Sequence, residues 1–303
     1  MSSKFRLAAV GEVSSLAPLA RVARALERRS APPATVVVTV EPWYTPGQPL
    51  AGVQKKLVEG EIDAALCPAT RLPQGLPREI EVGAIVRSRD PRYWYVSLHE
   101  ESLEDLPRDA RVVTCDAVAR AQLRHRFSSL RVELSPPSEV IAAGLRHEVW
   151  RAACVPAELV ESDPSLASHG KPLRAEEVTP VVGQGLVAVL LRAEGGRLKD
   201  AVQLLNDPAL EHCLRVERAF LARLAPLAER VATAWATRKG GMLELTGILA
   251  DKDGRWLVAD QAQAPARFGE VVALEIADSC RSLAAGEPPE PRSTGETTER
   301  TRP

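Results

Sequence analysis

One pattern, a β-branched run followed by an amphipathic helix and a further run, occurs twice along this chain. It constrains the fold more than any other feature. Residues 5–10 read as a strand, and residues 16–26 place Leu16, Leu19, Ala20, Val22, Ala23 and Leu26 at helical spacing. Residues 35–40 are an unbroken β-branched run, 50–58 a short helix closing near Gly60, and 62–66 another buried-strand run. The middle third repeats this, with strand 111–114, helix 116–126, strand 130–134, helix 138–145 and strand 149–155. Strands alternating with helices favour a parallel sheet covered on both faces. The predicted class is therefore α/β, with two doubly wound domains in series.

Residues 79–86 and 92–98 read as extended crossovers between these domains. Residues 177–191 are strand-like but interrupted by Gly183-Gln184-Gly185, read here as a hinge. A return this late makes the first domain discontinuous, 1–88 with 178–196, around a second domain at 89–177. The last third changes style. Residues 198–205 and 207–224 are helical, and 231–237, 242–250 and 256–261 alternate as strands. Gly240-Gly241 and Asp253-Gly254 are hairpin signals between them. An amphipathic helix over 267–284 completes a small α+β domain at 197–285. The tail, 286–303, holds Pro, Glu, Thr and Arg with no apolar residue and is expected to be disordered.

Composition excludes several functions. Among 303 residues, Lys+Arg number 39 and Asp+Glu 40, so bulk charge does not drive binding to nucleic acid. Aromatics are only 4%, so base stacking is not a theme. No apolar run reaches the length of a membrane-spanning helix. The first residues lack the apolar core of a signal peptide, so the cytoplasm is the expected compartment. Five scattered Cys make neither a disulfide framework nor a CxxC site. His99, His125, His147, His169 and His212 form no HxH or HxxxH pair, so no metal site is expected.

In open α/β sheets, ligands bind beyond the carboxyl ends of the strands. The loops there are Gly11-Glu12-Val13, residues 67–73, residues 114–119 and Ser135-Pro136-Pro137. They offer Thr70, Arg71, Thr114, Cys115 and Asp116 as cleft-facing candidates, with Gln184 at the hinge. Plainer roles compete with each. Asp116 opens a helix and suits an N-cap. Thr114 ends a strand, and Arg71 suits a solvated surface. Pro136-Pro137 lacks N–H donors and makes a poor anion cradle. Cys67 and Cys115 are the thiols that fall at the crevice, although small buried thiols are common. No Ser-His-Asp set, P-loop or GxGxxG is present.

A set of short segments carries a resemblance. They are Leu57-Val58-Glu59-Gly60-Glu61-Ile62-Asp63-Ala64-Ala65, Leu72-Pro73-Gln74-Gly75-Leu76-Pro77, Gly83-Ala84-Ile85-Val86-Arg87-Ser88-Arg89-Asp90-Pro91-Arg92, Ser102-Leu103-Glu104-Asp105-Leu106-Pro107, Ala121-Gln122-Leu123, Val182-Gly183-Gln184-Gly185, Asn206-Asp207-Pro208 and Glu217-Arg218-Ala219-Phe220-Leu221. In order and spacing, from about residue 5 to 284, they resemble the porphobilinogen deaminase (hydroxymethylbilane synthase) family of tetrapyrrole, porphyrin and heme biosynthesis. The resemblance implies two periplasmic-binding-protein-like domains and a small third domain. It also implies a transferase that joins four porphobilinogen units on a dipyrromethane held by a cysteine.

The resemblance implies residues this chain lacks. The family's His-Ser-Leu-Lys-Asp-Leu-Pro loop matches residues 67–73, so its catalytic Asp falls on Arg71 and its Lys on Thr70. The cofactor Cys falls on Ala228, and no Cys lies between Cys213 and Cys280. The family's first-strand Arg falls near Val10, and its Arg-Arg pair on Val118 and Ala119. Its Arg-Gly-Asn loop and later Thr-Arg fall on Ser135-Pro136-Pro137 and Ile141, and a Ser falls on Asp116. Each lost charged pairing costs roughly 1.5–3 kcal/mol. The expectation is an inactive family member without dipyrromethane. Its role would be regulatory, scaffolding or ligand-binding, with a tetrapyrrole-pathway enzyme or a small anionic ligand as partner. Two readings compete: an active divergent synthase using Cys67 or Cys115, and a different enzyme on the same scaffold.

Overall fold

The computed structural model describes residues 4–10, 20, 22–24, 27–28, 35–41, 50–99, 101–135, 138–194, 197–226, 229–286 and 296–301. In chain order the elements are β1 (Lys4–Val10), β2 (Thr35–Glu41), α1 (Ala51–Val58), β3 (Ala64–Pro68), β4 (Ile80–Arg87) and β5 (Tyr93–Val96). There follow β6 (Arg111–Thr114), α2 (Ala117–Arg126), β7 (Arg131–Leu134), α3 (Ser138–Arg146), β8 (Ala152–Pro156), α4 (Ala157–Ser162), α5 (Pro164–Ala167) and β9 (Gly170–Pro172). The rest are β10 (Leu186–Arg192), α6 (Arg197–Gln203), α7 (Pro208–Leu224), β11 (Arg230–Lys239), β12 (Met242–Asp251), β13 (Leu257–Pro265), α8 (Gly269–Ala285) and β14 (Glu296–Thr301). Of the helix expected over 16–26, residues 20 and 22–24 are described and helical.

The chain divides into two compact units, Met1–Asp90 with Gly183–His212, and Pro91–Val182 with Cys213–Pro303. The first unit is discontinuous. Its boundaries fall a few residues beyond the expected 88 and 178. It also keeps α6, which the sequence assigns to the third domain. Ala201 and Val202 of α6 enter the core of the first sheet beside Leu66, Val189 and Leu191.

The first sheet has the order β2-β1-β3-β10-β4. β1 lies parallel to β2 and β3, while β10 runs antiparallel to β3 and β4. The all-parallel expectation is therefore corrected to a mixed sheet. Val187 opposes Pro68 and Leu191 opposes Ala64, so β10 starts at the carboxyl end of β3 and must run back. The supposed crossover at 79–86 is β4, an edge strand of this sheet.

The second unit repeats the plan with the order β7-β6-β8-β5-β9. β6 is parallel to β7 and β8, and β5 is antiparallel to β8 and β9. The other supposed crossover is thus β5, which begins with Tyr93 opposite Pro156 at the carboxyl end of β8. Period-2 alternation decides which face each residue serves. Val112 and Cys154 join Leu123 of α2 on one face. Val113 and Val155 join Ile141 of α3 and Trp150 on the other. Burying each such Leu, Val or Ile side chain contributes roughly 1.5–3 kcal/mol.

The third sheet, β11-β12-β13-β14, is antiparallel throughout and clusters with the second unit. Gly247 of β12 leaves room there for two helices. A Cβ on it would stand 2.4 Å from Phe220 of α7 and 2.6 Å from Ile276 of α8. The disordered tail is a second correction, because residues 296–301 form β14 against β13. β13 offers the edge on which this strand pairs. The rest of that expectation, over 287–295 and 302–303, lies outside the described residues.

Candidate functional site

In the first unit the candidate loop leaves β3 at Pro68 and closes as a single 3-10 turn, Ala69–Arg71. Leu72 N donates to Ala69 O at 3.2 Å. Ala69 is buried, while Thr70 and Arg71 are exposed. Cys67 is buried, with its thiol 3.3 Å from Pro68 O. Burial pushes that thiol up to about 12, and the Arg71 charge only partly opposes the rise. At neutral pH it stays protonated, which weighs against Cys67 as the thiol of an active divergent synthase.

The Gly183-Gln184-Gly185 turn stands where the chain re-enters the first unit. Ser88 N and Arg89 N both donate to Gly185 O, at 2.8 and 3.2 Å. Gly183 has φ +79, and a Cβ on it would meet Ala69 C at 2.8 Å and Thr70 N at 3.0 Å. Only glycine combines that backbone with so close an approach. Gln184 is buried in this turn. Thr70, Arg71 and Gln184 thus belong to two adjoining segments of one unit.

In the second unit the candidates follow β6. Thr114 is fully buried, and its hydroxyl has no hydrogen-bond partner among the described residues. Cys115 is half-buried. Asp116 has extended backbone angles and caps α2, with Oδ1 accepting from Ala119 N at 2.7 Å. Its other oxygen accepts from the Tyr93 hydroxyl at 2.5 Å. Burial raises the Asp116 pKa, opposed by the Ala119 N–H and the Tyr93 hydroxyl. Burial also pushes the Tyr93 phenol and the Cys154 thiol well above their ordinary values, and the Asp116 charge adds to both. The N-cap role of Asp116 was legible from sequence, but its bond to Tyr93 was not. Deeper in α2, Gln122 forms a reciprocal pair with the Thr179 backbone, accepting at 2.8 Å and donating at 2.9 Å.

Comparison with known proteins places these loops in a family. Residues 50–135 match the model for porphobilinogen deaminase, dipyromethane cofactor binding domain. Porphobilinogen deaminase of Moorella thermoacetica is 30% identical over 232 residues, covering 76% of this chain and 74% of that protein. The chain belongs to the porphobilinogen deaminase family. Its place is therefore among proteins of tetrapyrrole biosynthesis. The Methylobacillus flagellatus porphobilinogen deaminase is 28% identical over 234 residues, covering 77% of this chain and 76% of that protein. The Thiobacillus denitrificans protein of the same name is 30% identical over 228 residues, covering 73% of each.

Family membership makes the departures at Thr70, Arg71 and Asp116 pointed, because all three lie inside the matched segment. Ala228, where the cofactor cysteine is expected, lies outside the described residues. Of the five cysteines, Cys67, Cys154, Cys213 and Cys280 are buried and Cys115 is half-buried. The thiols present do not fit a thioether-held dipyrromethane at the family's position, since residues 214–279 contain no Cys. Among the described residues, no three His, Cys, Asp or Glu side chains converge as metal ligands. No described helix is long and apolar enough to cross a membrane.

Proposed function

We propose that this chain is a family member without hydroxymethylbilane synthase activity. It would serve cytoplasmic tetrapyrrole biosynthesis as a regulatory or scaffolding protein that binds a pathway enzyme or a small anionic ligand. The observation that carries this reading is the Asp116 carboxylate. A helix N-terminus in this position attracts anions. Here the chain's own carboxylate takes that place, held by Ala119 N and the Tyr93 hydroxyl. A substrate carboxylate approaching it meets like charge. Arg71, exposed on the 3-10 turn, supports the same reading. A guanidinium there repels a cationic pyrrole intermediate where the family's carboxylate would stabilise it.

The test is an intact mass before and after incubation with porphobilinogen and with hydroxymethylbilane, alongside an Ehrlich colour reaction. The expected result is the mass of the bare polypeptide, no colour and no consumption of substrate. A covalent increment of two pyrroles would overturn the proposal, and mapping it would identify the residue that carries the group.

A further inference from the structure

At the far end of α2 from Asp116 the second unit holds a cavity of about 240 Å³. One wall is apolar, formed by Tyr95, Phe127 and neighbours from the core that the second sheet shares with α2. The rim is charged, and its carboxylates are already matched. Arg151 binds Glu101 through two hydrogen bonds, at 2.7 and 2.8 Å. Glu177 accepts from the Arg174 backbone at 2.8 Å and lies 3.3 Å from its guanidinium. Glu104 pairs with Arg126 at 3.6 Å.

Two donors are left over. The Tyr95 hydroxyl is buried with no partner in hydrogen-bonding geometry. Burial pushes it up to about 12, with the Ser97 hydroxyl close enough to act in the other direction, so it remains a donor. Lys171 stands directly opposite Tyr95 in the strand register. Its ammonium has no carboxylate within ion-pair distance among the described residues. An orphaned buried hydroxyl is costly, and an acceptor from outside the chain would satisfy it.

We propose that this cavity binds a small monocarboxylate with an apolar body. Its carboxylate takes the Lys171 ammonium and the Tyr95 hydroxyl, and its body lies against Phe127. A cation is disfavoured because the rim carboxylates are engaged with arginines, and the Lys171 ammonium calls for a single negative charge. The volume lies below the about 300–1,000 Å³ usual for ligand pockets, which limits the body to about one ring. This site shares no lining residue with the loops at Arg71 and Asp116, and it stands whether or not the chain has lost the family's chemistry.

The test is fluorine NMR and calorimetry on the full chain with 4-fluorobenzoate, against 4-fluorobenzamide and 4-fluorobenzylamine. The acid is expected to saturate the protein below about 10 mM and to bind at least about tenfold more tightly than either analogue. Lys171→Met should weaken the acid about tenfold and leave the amide unchanged, and Tyr95→Phe should weaken it several-fold. Lys171 is exposed, so its variant should fold even if Tyr95→Phe does not. Absence of saturation, equal binding by the amide or amine, or an acid affinity unmoved by Lys171→Met would each overturn the proposal.

Discussion

At the start of α2 the Asp116 carboxylate is buried, and burial moves its pKa upward. A carboxyl group raised in the folded state binds its proton more readily there than in the unfolded chain. Its stabilising contribution is fully present below the unfolded value, near 3.8, and is lost as pH rises through the folded pKa. The Tyr93 hydroxyl limits that loss by donating to the ionised form. Tyr93→Phe removes the donor and keeps the ring in its fully buried place. The variant is expected to lose about 1.5–3 kcal/mol at pH 7, with a smaller loss at pH 4, because falling pH favours the protonated carboxyl. Urea unfolding at both values measures this, and a loss independent of pH would mean that Tyr93 contributes packing alone. The sequence shows why one half of this pair was legible. Asp116 sits three residues before the amide it caps, a local relation. Tyr93 lies 23 residues earlier on another strand, and alternation reports its face but not its partner.

At the level of elements, α2 is where the second and third sheets of the second unit meet. The β12–β13 hairpin turns at Asp251, whose carboxylate accepts from Asp253 N and from the Arg255 guanidinium at 2.7 Å. The turn then lies on the helix. Arg120 donates to Lys252 O at 2.9 Å, and Arg124 reaches Asp253 at 3.4 Å. Gly254 has φ +70, and a Cβ there would stand 2.5 Å from Ala121 O. Gly240, in the other hairpin, has φ +59 with open space around it. Gly240→Ala should cost about 1–3 kcal/mol from backbone conformation alone. Gly254→Ala should cost clearly more, because the methyl also collides with helix backbone. Thermal melts of both variants decide this, and equal losses would mean that the hairpin does not press on α2. Asp253-Gly254 was readable as a turn because turn chemistry is local. Its seat on α2 depends on residues about 130 positions away, which no local pattern encodes.

Across the whole molecule, the strand–helix alternation made two α/β domains and a later α+β domain legible. Strand direction was not legible, because a run such as Leu186–Arg192 is apolar whichever way it points. Position within a sheet was hidden for the same reason, and it decides what the chain can lose. β10 lies between β3 and β4 in the first sheet and is buried at every residue but Arg192. Among the described residues, β14 is an edge strand that pairs with β13. A chain cut after residue 182 therefore loses the strand that joins β4 to the rest of its sheet. A chain cut after residue 286 loses β14, an outer ladder. In hydrogen exchange, amides of β3 and β4 should lose protection in the 1–182 chain and keep it in the 1–286 chain. The shorter cut leaves two unpaired edges of apolar sequence, Ala64–Pro68 and Ile80–Arg87, so it should also aggregate. Protected β3 and β4 amides in the 1–182 chain would show that the first sheet closes without β10, and would remove the reason for the late return of the chain.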